Sequence, residues 1–243
     1  MGIWKRYAGV RMNLVRTAFD GFRAIETQVS PSISTPPRRF TGRRAIEHVE
    51  VSEPYVAITF DDGPHPENTP RLLDLLAERR VRATFYLIGE PVTLHPDVVR
   101  RTMAEGHEVG SHTWSHRFLT TQSGHSIARE LARTEEAIED VIGVPPRSLR
   151  PPYGAVTRGM ARWIDHQFGY PTVLWSVTAR DWEGPGAAVI TERLVTETKA
   201  GSIVLNHDTV TATVDAMPET LDRLLDKGFQ FVTVSELVEL GVR

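Results

Sequence analysis

Asp61 and Asp62 stand side by side where the β-rich run YVAITF ends, followed at once by Gly63 and Pro64. Adjacent carboxylates at a strand end that runs into a turn can diverge, so that one binds a metal while the other stays free as a base. Taken alone, DDGP is more often simply a turn. Farther along, the run HEVGSH leads into His112, Thr113, Trp114, Ser115 and His116. The four-residue spacing of the two histidines predicts both imidazoles on the same side of a helical turn, an arrangement for two ligands on one metal that also occurs on solvated faces. With Asp62 the pair makes a set of three ligands, two His and one Asp, which leaves an open position for water as a hydrolytic site requires. The 243 residues include nine histidines and no cysteine, so thiolate chemistry, disulfides and Cys-based zinc sites are excluded and any metal is held by His, Asp or Glu.

The elements that position these groups follow a repeated β/α rhythm after Tyr55. Short β-rich runs, YVAITF, RATFYLI, HEVGSH, TVLWSV, GSIVLNH and FQFVTV, alternate with helical patterns over 70–80, 96–105, 126–142, 157–168, 187–199 and 218–227. Several of these helices open on a Ser/Thr cap or an early proline, with Pro218 read as the start of the last one. A short strand at Ser148–Arg150 brings the total to about seven β/α units, which predicts an α/β fold built as a distorted (β/α)7-8 barrel related to the TIM barrel. The polar residues sit at the C-terminal ends of the strands, where such folds carry their chemistry.

Composition sets the outer bounds. With 40% apolar and 24% charged residues, the chain has the makings of one large globular domain. A net charge of −3 gives no case for nucleic-acid binding. Up to Ala45, however, there are nine Lys/Arg against two Asp/Glu, whereas acidic residues outnumber basic ones over the remainder. Residues 1–45 therefore read as a basic extension preceding a catalytic domain over 46–243. Within it Ile3, Tyr7, Val10, Leu14, Ala18, Phe22 and Ile25 fall on one helical stripe, with Lys5, Arg16 and Arg23 opposite. This helix either lies on an anionic membrane surface or packs across the outside of the domain. Ser30–Arg44 reads as a linker. No run approaches the ~20 apolar residues of a membrane span, and arginines interrupt the first residues where a secretory signal needs an apolar core. The expected location is cytoplasmic, with the basic helix as the route to any membrane contact.

The segments TFDDGP, HTWSH, RPPYG, the RDW of WSVTARDW, and LNH resemble, in order and spacing, the five motifs of the polysaccharide deacetylase family, carbohydrate esterase family 4 with its NodB homology domain. The resemblance spans Thr59 to His207 and leaves the basic extension uncovered. It implies a NodB-like barrel and a metal-dependent hydrolase that removes an N-acetyl group from an N-acetylated amino sugar such as N-acetylglucosamine. By the same resemblance Asp61 is the general base, while Asp62, His112 and His116 hold one divalent metal, usually Zn2+. A backbone N–H near Tyr153 would help hold the oxyanion, and His207 would protonate the departing amine. Arg150 is similar to the arginine that pairs with the base carboxylate, and Asp181 to the carboxylate that contacts the catalytic histidine and favours its imidazolium form. Tyr153, Trp182 and Leu205 look like walls of the acyl and sugar pocket.

One position departs from the pattern: Thr178 stands where family members commonly carry Asp, which puts the geometry of that loop in question. Other readings are a deacylase of a lipid-linked sugar or an acylated secondary metabolite, which the basic head favours, and a non-catalytic carbohydrate-binding module, which the presence of Asp61, Asp62, His112, His116 and His207 disfavours. Thr113, standing where a metallopeptidase needs Glu after the first histidine, argues against peptide hydrolysis. His65 reads as an exposed loop residue, and His48, His95, His107, His125 and His166 lack any motif. The oligomeric state is not legible.

Overall fold

The computed structural model describes residues 45–241, so the stripe and linker read in the basic extension lie outside the described residues. A parallel sheet forms the centre. Its strands are β1 (Tyr55–Asp61), β2 (Thr84–Leu87), β3 (Glu108–Ser111), β4 (Val177–Thr178), β5 (Ile203–His207) and β6 (Gln230–Phe231). The order is β3-β2-β1-β5-β4, with β6 pairing the start of β1 at Tyr55 and Val56. Around the sheet pack α1 (Asn68–Glu78), α2 (Gly89–Leu94), α3 (Pro96–Ala104), α4 (Gly124–Ile142), α5 (Arg158–Phe168), α6 (Ala187–Glu197), α7 (Thr211–Asp226) and α8 (Val234–Leu240). No helix among the described residues is long and apolar enough to cross a membrane.

Alternation along β1 sorts the interior into two layers. Ile58 and Phe60 join Phe85, Leu87, Val109 and Val204 beneath the helices, with Leu72, Leu73, Leu76, Met217 and Leu221 packed over them. Ala57, on the opposite face, joins Tyr86, Val173 and Ile203 in a second cluster, which the last helix completes through Val234 and Leu237. Thr59 and Asp61 continue the Ala57 face, so the inner side of the sheet turns polar toward the strand C-termini.

Among the described residues the barrel does not close by continuous ladders. Past β3 the sheet continues there as isolated parallel bridges, Ser111 to Leu149 and Leu149 to Thr172, with Ile46 adding another to Val173. The expected strand at Ser148–Arg150 is thus reduced to one residue, Leu149, which bridges to both neighbours. Pro145 and Pro146 before it and Pro151 and Pro152 after it cannot donate to a ladder, which limits its length.

The helices also correct the sequence reading. Pro218 does not open a helix but lies inside α7. Buried residues flank it on both sides, Thr213, Val214, Ala216 and Met217 before it and Thr220, Leu221 and Leu224 after it. Continuous burial of this face outweighs one lost backbone hydrogen bond. Two helices were not expected, the short α2 and the terminal α8. The latter begins with a capping box in which the Thr233 side chain accepts from Glu236 N–H and the Glu236 carboxylate accepts from Thr233 N–H.

Candidate metal and catalytic site

Asp61 and Asp62 diverge as their adjacency allowed, and the backbone supplies the reason. Asp61 is the last residue of β1 and points inward, almost fully buried. Asp62 turns with φ of 73°, in the left-handed region, which redirects its carboxylate toward the histidines. Five of the six non-glycine residues with positive φ among the described residues, Asp62, Thr113, His116, Tyr153 and Arg180, lie in the loops of this one region, and such local strain is tolerated where surrounding contacts fix it.

The segment from His112 to His116 is not a helical turn, contrary to the sequence expectation. Thr113 and His116 have φ of 68° and 53°, and the segment is an irregular loop. The cause is Glu130 of α4, whose carboxylate accepts from the backbone N–H of Trp114 and Ser115 at 3.0 and 2.8 Å and from the Ser115 hydroxyl at 2.8 Å. Those N–H groups would otherwise be free for helical bonds. On the other side Gly89 and Glu90, in the first turn of α2, donate their N–H groups to the carbonyls of Thr113 and Trp114. The imidazoles converge all the same, with ring centroids 4.9 Å apart. Glu130 and α2 escaped the sequence reading because nothing in the local pattern of α4 marks one carboxylate as turned toward a loop sixteen residues upstream of it.

The donor atoms of Asp62, His112 and His116 lie within 4.8 Å of one another. Asp62 Oδ1 stands 3.3 Å from His112 Nε2 and 3.2 Å from His116 Nε2, and it is buried without a hydrogen-bond partner. His112 Nδ1 lies 2.7 Å from the carbonyl of Arg150, so its proton belongs on Nδ1 and the Nε2 lone pair faces the cluster. Burial opposes the Asp62 charge, but His112 foremost, with His116 and His207, holds its pKa down at about 2. Burial lowers the pKa of His116, reinforced by its neighbour His112, which favours neutral imidazole. An ionised carboxylate and two imidazole Nε2 atoms facing one point fit a divalent cation.

Asp61 Oδ1 accepts from Arg150 Nη1 at 2.7 Å, and both side chains are buried. The same Nη1 reaches Thr59 Oγ1 at 2.6 Å, Nη2 donates to the carbonyl of Leu174 at 3.0 Å, and the guanidinium lies over the Tyr86 ring at 4.2 Å. The fork is therefore part of the barrel interior and not a surface ion pair. Asp61 Oδ2 points the other way, 3.8 Å from His112 Nε2.

His207, the last residue of β5, contacts Asp181 Oδ1 through Nδ1 at 2.8 Å, while its Nε2 faces Asp62 Oδ2 at 4.0 Å. Asp181 also accepts from the His207 backbone N–H and the Thr213 hydroxyl. Burial of His207 works against its cation, but the Asp181 hydrogen bond and charge, with Asp61 and Asp62 beyond, raise its pKa to about 9. Thr178 Oγ1 accepts from the Arg180 N–H at 3.1 Å, so the residue that departs from the family pattern still ties the turn leading to Asp181.

The three expected wall residues differ in exposure. Tyr153 and Trp182 are exposed, with Tyr153 edge-on to His116 at 4.7 Å between centroids and Trp182 edge-on to His207 at 5.4 Å. Leu205 is buried two residues before His207, on the same face of β5. His65 is half-buried and structural: its Nδ1 accepts from the N–H groups of Glu67 and Asn68 at the start of α1. Asp208 also went unnoticed in the sequence. It is fully buried, accepts the Thr69 hydroxyl through Oδ2 and presses against Gly63, directly beneath the Asp61–Asp62 turn.

The polysaccharide deacetylase family model matches residues 48–173, a span that contains Asp61, Asp62, His112, His116, Arg150 and Tyr153 and ends before Asp181, Trp182 and His207. The chain is 40% identical over 182 residues to the peptidoglycan-N-acetylglucosamine deacetylase PgdA of Listeria monocytogenes serotype 1/2a, covering 75% of this chain and 38% of that protein. It thus spans well under half the length of that relative. It is 42% identical over 159 residues to the chitooligosaccharide deacetylase of Rhizobium leguminosarum bv. trifolii, covering 63% of this chain and 71% of that one. The solved structure of the Bc1960 peptidoglycan N-acetylglucosamine deacetylase superposes with a TM-score of 0.77 at 34% identity, over 79% of this chain and 92% of the other. A parallel α/β sheet with two strand-end aspartates, a convergent histidine pair and matching sequence over more than half the chain meet in one conclusion: this chain belongs to the polysaccharide deacetylase family.

Proposed function

We propose that this chain is a metal-dependent N-deacetylase, hydrolysing the N-acetyl amide of an N-acetylglucosamine-type amino sugar to acetate and free amine. The observation that carries the reading is that a buried, arginine-held carboxylate and an aspartate-held imidazole both face the Asp62, His112 and His116 cluster. Similarity to proteins named as peptidoglycan and chitooligosaccharide deacetylases supports the substrate class.

The proton inventory balances across the site. Arg150 fixes Asp61 through Oδ1, leaving Oδ2 on the cluster side to take a proton from the attacking water as the new C–O bond forms. His207 holds a proton on Nε2, facing the same space, and delivers it to the amide nitrogen as the C–N bond breaks, since an amide anion is too poor a leaving group. Asp181 keeps His207 in the protonated form and orients its ring. Asp62, His112 and His116 hold the ion, which we take to be Zn2+ from two imidazoles, one carboxylate and an open position. When bound it supplies Lewis-acid polarisation of the acetyl carbonyl and acidifies water. Tyr153 and Trp182 border the sugar, and Leu205 backs the acyl end beneath His207.

The test is acetate release from N-acetylglucosamine oligomers by zinc-loaded protein, with chelator-treated protein and Asp61→Asn alongside. Acetate that disappears in both controls supports the reading. Stoichiometric zinc binding without acetate release from any N-acetylated sugar sinks it.

A further inference from the structure

The ladder between β1 and β5 ends at Asp61 and His207, and past it the two chains part, one running into α1 and the other into α7. Beyond that point side chains join them. Asp208, the residue after His207, accepts from the Thr69 hydroxyl of α1 through Oδ2. Its carboxylate also presses on Gly63, the residue after Asp62, where an added Cβ would stand 2.5 Å from Oδ2 and 2.9 Å from Oδ1. Beside it the Asn68 amide donates to the Thr209 carbonyl and to the Thr211 hydroxyl oxygen, both at 3.4 Å.

These contacts make a continuous strut. Thr69 Oγ1, which donates to Asp208, also accepts from the His65 N–H at 2.8 Å, so one hydroxyl joins the loop between β1 and α1 to the end of β5. Gly63 is tied to the neighbouring strand as well, its carbonyl accepting from the Ile88 N–H at 2.9 Å just past β2. The turn through Asp62, held at positive φ, is thereby clamped between the ends of β2 and β5. Asp208 is fully buried, and its Oδ1 has no hydrogen-bond partner among the described residues. A buried carboxylate with one oxygen unanswered stabilises a fold less than an apolar side chain filling the same space. Stability is therefore a poor account of an aspartate here, whereas its contacts meet both segments that carry the proton-transfer groups.

We propose that Asp208 is a positioning residue that, through Thr69 and Gly63, holds the Asp61–Asp62 turn at a fixed offset from the strand end carrying His207. This rests on the reading of Asp61 and His207 as base and acid and of Asp62 as a metal ligand. Asp208 acts through its neighbours, since the hydrogen bond it makes is to Thr69. Backbone bonding in the ladder fixes where β1 and β5 lie, but the direction in which the Asp62 peptide turns is set after the ladder ends. A misplacement of about 1 Å at a reacting group can cost on the order of 10²-fold in rate. Loss of the strut acts on the placement of Asp62, read as zinc affinity, and on the alignment of the proton-transfer groups, read as kcat. It leaves the contacts to the sugar, read as KM, in place.

The experiment uses Asp208→Ala, which removes the strut, and Thr69→Val, which removes only the hydroxyl that Asp208 holds. Each is set beside a conservative partner that keeps the contact, Asp208→Asn and Thr69→Ser. Zinc affinity is measured by calorimetry, and kcat and KM for acetate release from N-acetylglucosamine oligomers at saturating zinc, with circular dichroism confirming the folded state. In Asp208→Ala and Thr69→Val, zinc affinity is expected to fall by roughly tenfold and kcat by roughly 10–100-fold, with KM within about threefold of the unaltered chain. Asp208→Asn and Thr69→Ser recover most of both losses. Should Asp208→Ala not fold, the Thr69 pair carries the same comparison. A lowered melting temperature with zinc affinity and kcat intact makes the role of Asp208 one of stability alone and overturns the proposal. A loss in Asp208→Asn as deep as in Asp208→Ala overturns it too, because the effect then belongs to the charge of the carboxylate. Zinc affinity that follows the strut in a protein releasing no acetate keeps the positioning of the Asp62 turn and removes the deacetylase reading. Acetate release that all four variants leave unchanged does the reverse.

Discussion

Asp61 and His207 are direct register partners in the parallel ladder between β1 and β5, each the last residue of its strand. The pairing Ala57 to Ile203, Thr59 to Leu205 and Asp61 to His207 carries one inward face across both strands. Because side chains alternate along a strand, slipping this register by one residue would send one of the two groups out of the barrel interior. The two residues assigned to opposite proton transfers are therefore aligned by backbone hydrogen bonding as well as by their own side-chain contacts.

Replacing Asp61 by Asn removes the proton acceptor while leaving an oxygen for Arg150. Acetate release is expected to fall by about 10²–10⁴-fold. Zinc binding, followed by calorimetry, stays close to that of the unaltered chain; a collapse of zinc affinity would instead make Asp61 a ligand.

Asp181→Asn removes the principal group that holds the His207 pKa at about 9. Loss of a neighbouring anion lowers an imidazole pKa, so the histidine releases its proton at lower pH in the variant. NMR titration of the metal-free chain should show His207 protonated well above neutrality, and the variant titrating nearer the ordinary histidine range. In the loaded protein the alkaline limb of kcat/KM should move in the same direction, and an unmoved limb would detach His207 from the acid role.

Glu130→Ala strips three acceptor contacts from the loop that carries the histidine pair. Divalent-metal affinity is expected to fall by about 10–100-fold, the usual cost of losing a group that orients ligands. The melting temperature of the metal-free chain should change far less than that of the loaded one.

Gly63→Ala would place a Cβ 2.5 Å from Asp208 Oδ2, and Asp208 is fully buried. A destabilisation of about 1–3 kcal/mol follows from such overpacking, read from denaturant unfolding. Combining it with Asp208→Ala should recover part of the loss, because the clash disappears with the carboxylate.

His107 is buried and its Nδ1 accepts from the Ala83 N–H at 3.1 Å, so burial holds its pKa down to about 4. The unfolded chain binds this proton at higher pH than the folded one. The stabilising contribution is thus complete above the ordinary histidine range near pH 6.5 and is lost as the pH falls from there through about 4. Unfolding free energy measured across this interval should decline less steeply for His107→Gln than for the unaltered chain.

The sequence by itself marked the residues that the structure gathers at the candidate site and their order along the chain. Adjacent Asp61 and Asp62 at a strand end, His112 and His116 after another, and His207 closing a third were legible because parallel α/β folds gather strand C-termini at one face. Tertiary structure decided what local pattern could not hold. The turn of Asp62 to positive φ separates the two carboxylates, and Glu130, reaching across from α4, pulls the histidine loop out of the helical path that its spacing predicted. Pro218 sits within a helix because burial on both sides of it outweighs its local preference. Asp208 matters only because it is pressed against Gly63 from a different strand end. Local propensity and spacing are properties of neighbours in sequence; these contacts join residues far apart in the chain, and they exist only once the sheet has set its register.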